Sequence, residues 1–411
     1  MSKKSLLGFA LLALLIPFFG VAEAGDFTFK PRVFTSAAYN DNVEEVSGGK
    51  GDYVGTIKPG LSTSYEGNQV FFNLSYDFEY KDYLDDVKGD ETNNYLDALG
   101  KVEAIKDRLY IEVSDSFKKV YEDNTRGDVP GGDTSNGTTD QNSFSIKPYL
   151  TIPLQERTQF TLGASFRDIW YSEEGNVDKR IYSAFTDVSH ELSDAWSLTF
   201  GGGYERQIPR WEEGGYHRYN LLLGTKYSYD EGSYLEARWE PTHTDYRYTR
   251  DTDKQYHPYY LGVTHAFTKT MTGSLSTSLD FEEVPQSVSP DSKYSHQASL
   301  NNAYERGNFK IGLAYYDYET RENVSRSTYW RPSLSGDHSL TERFSFRYNS
   351  YVDLDTNPKS DKYWFTMLNL DYAFTDSAKV GLSYRFKLND TEGARTDYTS
   401  NTMGLTFSWA H

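Results

Sequence analysis

Val70-Phe71-Phe72-Asn73-Leu74-Ser75-Tyr76-Asp77-Phe78-Glu79-Tyr80-Lys81 decides the fold. Val70, Phe72, Leu74, Tyr76, Phe78 and Tyr80 share one parity; Phe71, Asn73, Ser75, Asp77, Glu79 and Lys81 share the other. An extended chain therefore turns an apolar face one way and a largely polar face the other. One such strand fits a soluble sandwich. Its return about every twenty residues to the end of the chain fits an outer-membrane barrel, whose strands alternate lipid-facing and lumen-facing residues.

Working outward, Phe160, Leu162, Ala164 and Phe166 repeat the pattern, as do Trp196, Leu198, Phe200, Gly202 and Tyr204, and Val380, Leu382, Tyr384 and Phe386. The connections alternate short and long. Short ones fall at Glu66-Gly67-Asn68, Ile105-Lys106-Asp107, Gln155-Glu156-Arg157, Ser193-Asp194-Ala195, Asp230-Glu231-Gly232, Thr268-Lys269-Thr270, Arg306-Gly307-Asn308, Thr341-Glu342 and Thr375-Asp376-Ser377. Most hold Gly, Asn, Asp or Ser, which suit tight turns, and they read as periplasmic. The longer, acidic stretches between them read as extracellular loops, among them Asp82 to Asn93, Lys118 to Gln141 and Ser172 to Lys179. The expected fold is all-β: a transmembrane antiparallel up-and-down β-barrel of about 20 strands with both termini periplasmic. The count is 18 if the weak segments around Asp97 to Glu103 and Tyr294 to Tyr304 fail as strands.

The N-terminus sets the compartment. Lys3 and Lys4 precede an apolar run from Leu6 to Phe19, and Ala22-Glu23-Ala24 has the small-x-small form of a signal-peptidase site. Residues 1–24 are thus expected to be a cleaved signal peptide and 25–411 the barrel. The 411 residues include no Cys, which excludes disulfides, a lipoprotein anchor and a covalent haem site. The 35 Tyr, 24 Phe and 7 Trp coexist with a mean hydropathy of −0.70, as expected where only alternate residues meet lipid. A net charge of −18 argues against nucleic acid and suits solvated loops beside lipopolysaccharide. At the other end, Met403, Leu405, Phe407 and Trp409 alternate with small or polar residues. This resembles the C-terminal aromatic signal read by barrel-assembly machinery, although Ala410 and His411 follow the last aromatic.

Ala38-Tyr39-Asn40-Asp41-Asn42-Val43, then Lys58-Pro59-Gly60-Leu61-Ser62 and the Phe71-to-Tyr83 strand, resemble the opening of beta-barrel porin family 2. Those barrels often accompany exopolysaccharide and exosortase-associated gene clusters. The resemblance implies a conduit for a polysaccharide cargo working with periplasmic polysaccharide-export proteins; fold alone does not carry function.

One pattern recurs inside the chain: Lys58-Pro59-x-Leu61-Ser62, Lys147-Pro148-x-Leu150-Thr151 and Arg331-Pro332-x-Leu334-Ser335. Alternation sends the basic residue into the lumen and Pro and Leu towards lipid, and proline within a strand predicts a bulge or a rim position. With Arg32 the three would make a basic band that an anionic polymer could follow. Other pore-lining candidates carry mixed charge: Asp77, Glu79, Lys81, Arg167, Glu205, Glu236, Arg238, Glu240, Arg347 and Arg385. Tyr39, Tyr80, Trp170, Tyr171, Trp196, Trp239, Trp330, Trp364 and Trp409 read as interfacial girdles. Tyr149, Tyr171, Tyr234 and Tyr316, on the polar face, are candidates for stacking on sugar rings.

Catalysis has little support. The eight His are scattered without HExxH or GxSxG, no metal or cofactor is expected, and Gly201-Gly202-Gly203 suits close packing better than phosphate binding. His243, Asp245, Asp251 and Asp253 only loosely imitate a protease site. The reading is an exported, non-enzymatic outer-membrane barrel that secretes polysaccharide through a polar lumen. The alternatives are a general porin for small solutes and a structural or adhesive barrel with acidic loops.

Overall fold

The computed structural model describes residues 25–122, 129, 137–210, 214–247, 254–282, 284–287, 290–319, 326–356, 361–391 and 397–411. The expected signal peptide lies outside them, as does most of the centre of the Lys118-to-Gln141 loop. The first strands are β1 (Asp26–Asn40), β2 (Asp52–Glu66), β3 (Val70–Tyr83), β4 (Glu91–Ile105), β5 (Leu109–Tyr121), β6 (Thr138–Gln155), β7 (Thr158–Tyr171), β8 (Lys179–Ser193), β9 (Trp196–Pro209), β10 (Tyr216–Asp230) and β11 (Ser233–Trp239). They are followed by β12 (Thr242–Tyr246), β13 (Lys254–Tyr256), β14 (Tyr259–Ala266), β15 (Met271–Glu282), β16 (Asp291–Tyr304), β17 (Gly307–Glu319), β18 (Arg326–Ser339), β19 (Phe344–Asp355), β20 (Lys362–Ala373), β21 (Ala378–Asp390) and β22 (Tyr398–Ala410).

Nearly every strand pairs antiparallel with the next, and β1 closes the ring on β22, with Val33 opposite Trp409 and Tyr39 opposite Met403. Two barrel strands are each interrupted once. β11 and β12 both pair with β10, while β13 pairs with β12 and β14 with β11. The breaks fall at Glu240-Pro241 and His257-Pro258, where proline has no N–H to give a ladder. The proline carbonyls still accept: Leu221 N–H donates to Pro241 at 3.1 Å and Glu240 N–H to Pro258 at 2.8 Å. Counting each interrupted pair as one, the described residues form a closed barrel of twenty strands. The segments that look weak in sequence, around Asp97 and Tyr294, are regular parts of β4 and β16.

Register carries one parity around the ring. Phe27, Phe29, Phe200, Leu221 and Leu405 are all more than half exposed on the outer face, an apolar surface far too extensive for water and suited to lipid. The nine short turns gather at one end and the longer connections at the other.

The expected bulges at the Lys-Pro and Arg-Pro motifs are absent. Ile57 pairs with Tyr80 and Gly60 with Asp77; Ile146 with Phe166 and Tyr149 with Gly163; Trp330 with Leu354 and Ser333 with Tyr351. Two rungs are vacant each time and the register does not shift. The proline nitrogen faces the following strand, and the ladder on its other side runs on, through Val33–Pro59, Ile111–Pro148 and Leu313–Pro332. One intact ladder is enough to hold the register, so no extra residue is needed to absorb the missing donor. Gly201 shows the expected close packing: a Cβ there would lie 2.5 Å from the Thr186 carbonyl oxygen.

Candidate functional site: the lumen

Every predicted pore-lining residue takes the inward parity. Arg32, Lys58, Asp77, Glu79, Lys81, Arg347 and Arg385 border one compartment of about 870 Å³ along β18–β22 and β1–β3. Lys147, Arg167, Glu205, Glu236, Arg238, Glu240 and Arg331 hold the same parity on β6, β7, β9, β11 with its continuation, and β18.

The three Pro-linked cations sit at matching depth. Lys58, Lys147 and Arg331 precede the last residues of their strands, Glu66, Gln155 and Ser339, by the same 8 positions (66 − 58, 155 − 147 and 339 − 331). Their surroundings differ. Arg331 grips Asp353 with two bonds, Nε to Oδ1 at 2.6 Å and Nη2 to Oδ2 at 2.8 Å. The constant register places Asp353 directly opposite Arg331, at one of the two vacant rungs, with Val352 opposite Pro332. The rings of Tyr351, Tyr329 and Tyr316 surround the guanidinium with centroids at 4.7, 5.3 and 5.6 Å. Arg32 likewise holds Asp77 at 2.8 and 2.9 Å and Ser75 at 2.8 Å. It reaches past β2 because position 60 is glycine: a Cβ there would collide with Asp77 Oδ1 and lie 3.0 Å from Arg32 Nε.

The two lysines lack a carboxylate partner among the described residues. Lys58 Nζ stands 4.3 Å from the Tyr95 ring centre, and Lys147 Nζ 5.1 Å from Phe185 and 5.6 Å from Tyr149. Cation–π contact leaves a charge able to attract anions, whereas a bidentate carboxylate cancels it. The expected band of four cations is therefore two lysines and two neutralised arginines.

The two ends of the lumen contrast. Towards the long loops, inward side chains are buried: Glu79 accepts from Asn93 at 3.0 Å and Tyr95 at 3.2 Å, with Lys81 3.7 Å away. Lys387 meets Glu45 at 2.6 Å, Glu205 pairs with Arg218 at 3.2 Å, and Tyr216, Tyr318 and Phe365 are almost fully covered. A roof forms where two loops interlock: Lys179 Nζ donates to the Val284 carbonyl and Val177 N–H to that of Pro285, both at 2.7 Å. Beneath it, Ile169, Tyr171, Ile181 and Val120 make an apolar cluster on the inner wall. Towards the short turns charge is exposed at Arg347, which spans Asp371 at 2.9 Å and Asp337 at 4.0 Å. Midway along the wall Arg238 spans Glu240 at 3.1 Å and Asp280, near the long-loop end of β15, at 3.8 Å.

Among the proposed sugar-stacking tyrosines, Tyr149 stacks on Tyr110 at 5.2 Å and donates to Glu112 at 2.9 Å, and Tyr234 lies under Lys226 at 4.2 Å. Tyr316 packs against Tyr329 at 5.2 Å. Tyr171 is only 4% exposed within the apolar cluster, so neither a sugar-stacking nor a girdle role fits it; burial closes its ring faces. Trp170, Trp196, Trp330, Trp364 and Trp409 do lie near strand ends with outward parity. Trp239 instead sits at the strand break, stacked on His257 at 6.1 Å. His243 and Asp245 face outwards on β12, away from the lumen, and Asp251 and Asp253 lie outside the described residues. Sequence reading missed the loop interlock and the inner apolar cluster; the only available signal was the apolar inward parity of Ile169 and Ile181.

No family model and no curated protein matches the chain. Solved structures do. A G324V mutant of the ferric enterobactin receptor PfeA from Pseudomonas aeruginosa aligns with TM-score 0.55 and 9% identity, covering 95% of this chain and 81% of that one. The FrpB iron transporter of Neisseria meningitidis, F5-1 variant, aligns at 0.52 and 8%, covering 94% and 83%. The copper transporter OprC aligns at 0.51 and 7%, covering 94% and 80%. At such identities the likeness is one of fold, that of the transmembrane barrels of outer membranes.

Proposed function

We propose that this barrel is an outer-membrane conduit through which an extracellular polysaccharide leaves the cell. The supporting observation is a polar lumen whose short-turn half is open and lined with mixed, exposed charge, leading to lysines seated on aromatic rings at one depth. Such walls hold a hydrated chain weakly at many points, which lets it enter and also leave. In this reading the short turns are periplasmic, the cargo arrives from periplasmic export proteins, and the loop roof is the outer gate. The resemblance to beta-barrel porin family 2 supports the same assignment. Deleting the gene is expected to trap polymer in the periplasm while synthesis continues; normal surface polysaccharide in the deletion strain would refute the proposal. The mixed charge of the lumen also favours a second reading, a general porin. Liposome swelling with small neutral sugars separates the two, since a porin swells vesicles readily and a roofed conduit does so only when its gate is opened.

A further inference from the structure

The outer wall carries a charge pattern that the lumen does not explain. At the long-loop end of β8, β9 and β10 the lipid-facing parity holds Arg180, Arg206 and His217, with Tyr182 opposite Arg206 and Arg206 opposite His217. Arg180 and Arg206 are exposed, and so is Arg247 just past β12, whose N–H is anchored to the Gly215 carbonyl at 3.0 Å. His217 lies in the field of both Arg206 and Arg247. Among the described residues of these strands, two carboxylates share this face: Asp168, taken by Arg210, and Asp245, opposite His217. Arg180, Arg206 and Arg247 form no ion pair with a described residue.

Directly below Arg180, Arg206 and His217, one outward step towards the middle of the wall, is in each case a tyrosine: Tyr182, Tyr204 and Tyr219. The rings of Tyr204 and Tyr219 are 5.2 Å apart, and the Tyr204 hydroxyl is 2.6 Å from His217 Nδ1. One step lower, Ala184 and Gly202 leave a shallow lane beside Leu221. Lower still, Val188, Phe200, Leu223, Trp239 and Leu261 line an external groove of about 600 Å³. Descending the wall, the order is cation, aromatic ring, small residue, apolar groove.

That order matches a phosphorylated glycolipid, whose phosphates stand outermost, whose sugars lie at the interface and whose acyl chains run inwards. Arginine forks suit phosphate oxygens better than ammonium groups do, and no described carboxylate is ion-paired with Arg180, Arg206 or Arg247. Tyrosines at headgroup level anchor the interface. We propose that this face binds a phosphorylated glycolipid of the outer leaflet, with its phosphates on Arg180, Arg206 and Arg247 and an acyl chain along the Ala184–Gly202 lane into the groove. The proposal rests on the outer-membrane placement argued above.

The test uses the full barrel, extracted in mild detergent and placed in nanodiscs, with bound lipid counted by native mass spectrometry. The probes are lipid A bearing two phosphates, the same lipid dephosphorylated, and inorganic phosphate. Wild type is expected to retain the bisphosphorylated lipid about tenfold better than the dephosphorylated one, and R180Q/R206Q/R247Q to lose about that factor, with binding that weakens as salt rises. Heat-modifiable migration reports folding, and R180K/R206K/R247K, which keeps charge but not the fork, should lose part of the retention even where the Gln variant fails to fold. Equal retention by wild type and the Lys variant, equal binding of the dephosphorylated lipid, or displacement by inorganic phosphate at matched concentration would each overturn the site, the last by reducing it to an ion site. Membrane fractionation keeps the two readings apart. A protein absent from the outer membrane defeats the functional proposal, whereas one present there with unchanged lipid retention defeats only this inference.

Discussion

Arg331 on β18 and Arg347 on β19 each pair with an aspartate in the same lumen, yet the two pairs occupy different media. Arg331 makes two short bonds to Asp353 among three tyrosines, with side chains 18% and 15% exposed. Arg347 makes one bond to Asp371; the aspartate is 14% exposed, as covered as Asp353, but the Arg347 side chain is 56% exposed. Both positions obey the same alternation. The difference comes from what lies around them: the long-loop half of the lumen is packed with aromatic rings and covered by interlocked loops, and the short-turn half is wet. Charge paired and covered in the first half is structural, and charge left open to water is available to whatever passes.

Breaking the pairs one at a time should show that difference most strongly. Asp353→Asn strands a covered guanidinium and is expected to cost about 3–5 kcal/mol in urea unfolding of the refolded barrel. The matching Asp371→Asn should cost no more than about 1 kcal/mol, because water replaces the lost partner. Equal losses would show that the two halves are equally wet.

A smaller effect is expected at Gly60. Gly60→Ala pushes a methyl group into Asp77 and should destabilise by about 1–3 kcal/mol. The loss should shrink in the Asp77→Ala background, where the obstruction is gone; a purely additive double mutant would mean that the glycine serves the backbone and not the Arg32–Asp77 pair.

The subtlest change concerns selectivity. Lys58→Gln with Lys147→Gln should leave unfolding within about 0.5 kcal/mol of wild type. Anion preference in planar-bilayer conductance should fall, most clearly at low salt, where the field of the lysines is least screened. Replacing the Arg32–Asp77 and Arg331–Asp353 pairs instead, both members of each made neutral, should move stability and leave ion preference nearly unchanged. The reverse outcome would return the neutralised arginines to the role of attracting anions.

Much of this was legible in residue order because alternation is a local property. The twelve residues from Val70 already state which side chains meet lipid and which meet the lumen, and the short turns follow from small polar residues between such segments. The inward placement of Arg32, Lys58, Lys147 and Arg331 and the matching depth of the last three need nothing more than counting along a strand. Proline misled at one step: it signals a missing donor, but it does not say that an intact ladder on its other side will hold the register.

What the sequence by itself determined, then, is the extended, two-faced character of each strand and the number of strands, since both depend on steric alternation within a few residues. Only the tertiary structure decided which charges cancel. Arg32 finds Asp77 across an intervening strand, through the space a glycine leaves, and Lys179 meets a carbonyl 105 residues away in sequence. Such partners are set by closure of the ring and by loops folding over its mouth. The strength of a charge in the lumen depends on those distant neighbours and on the water they exclude.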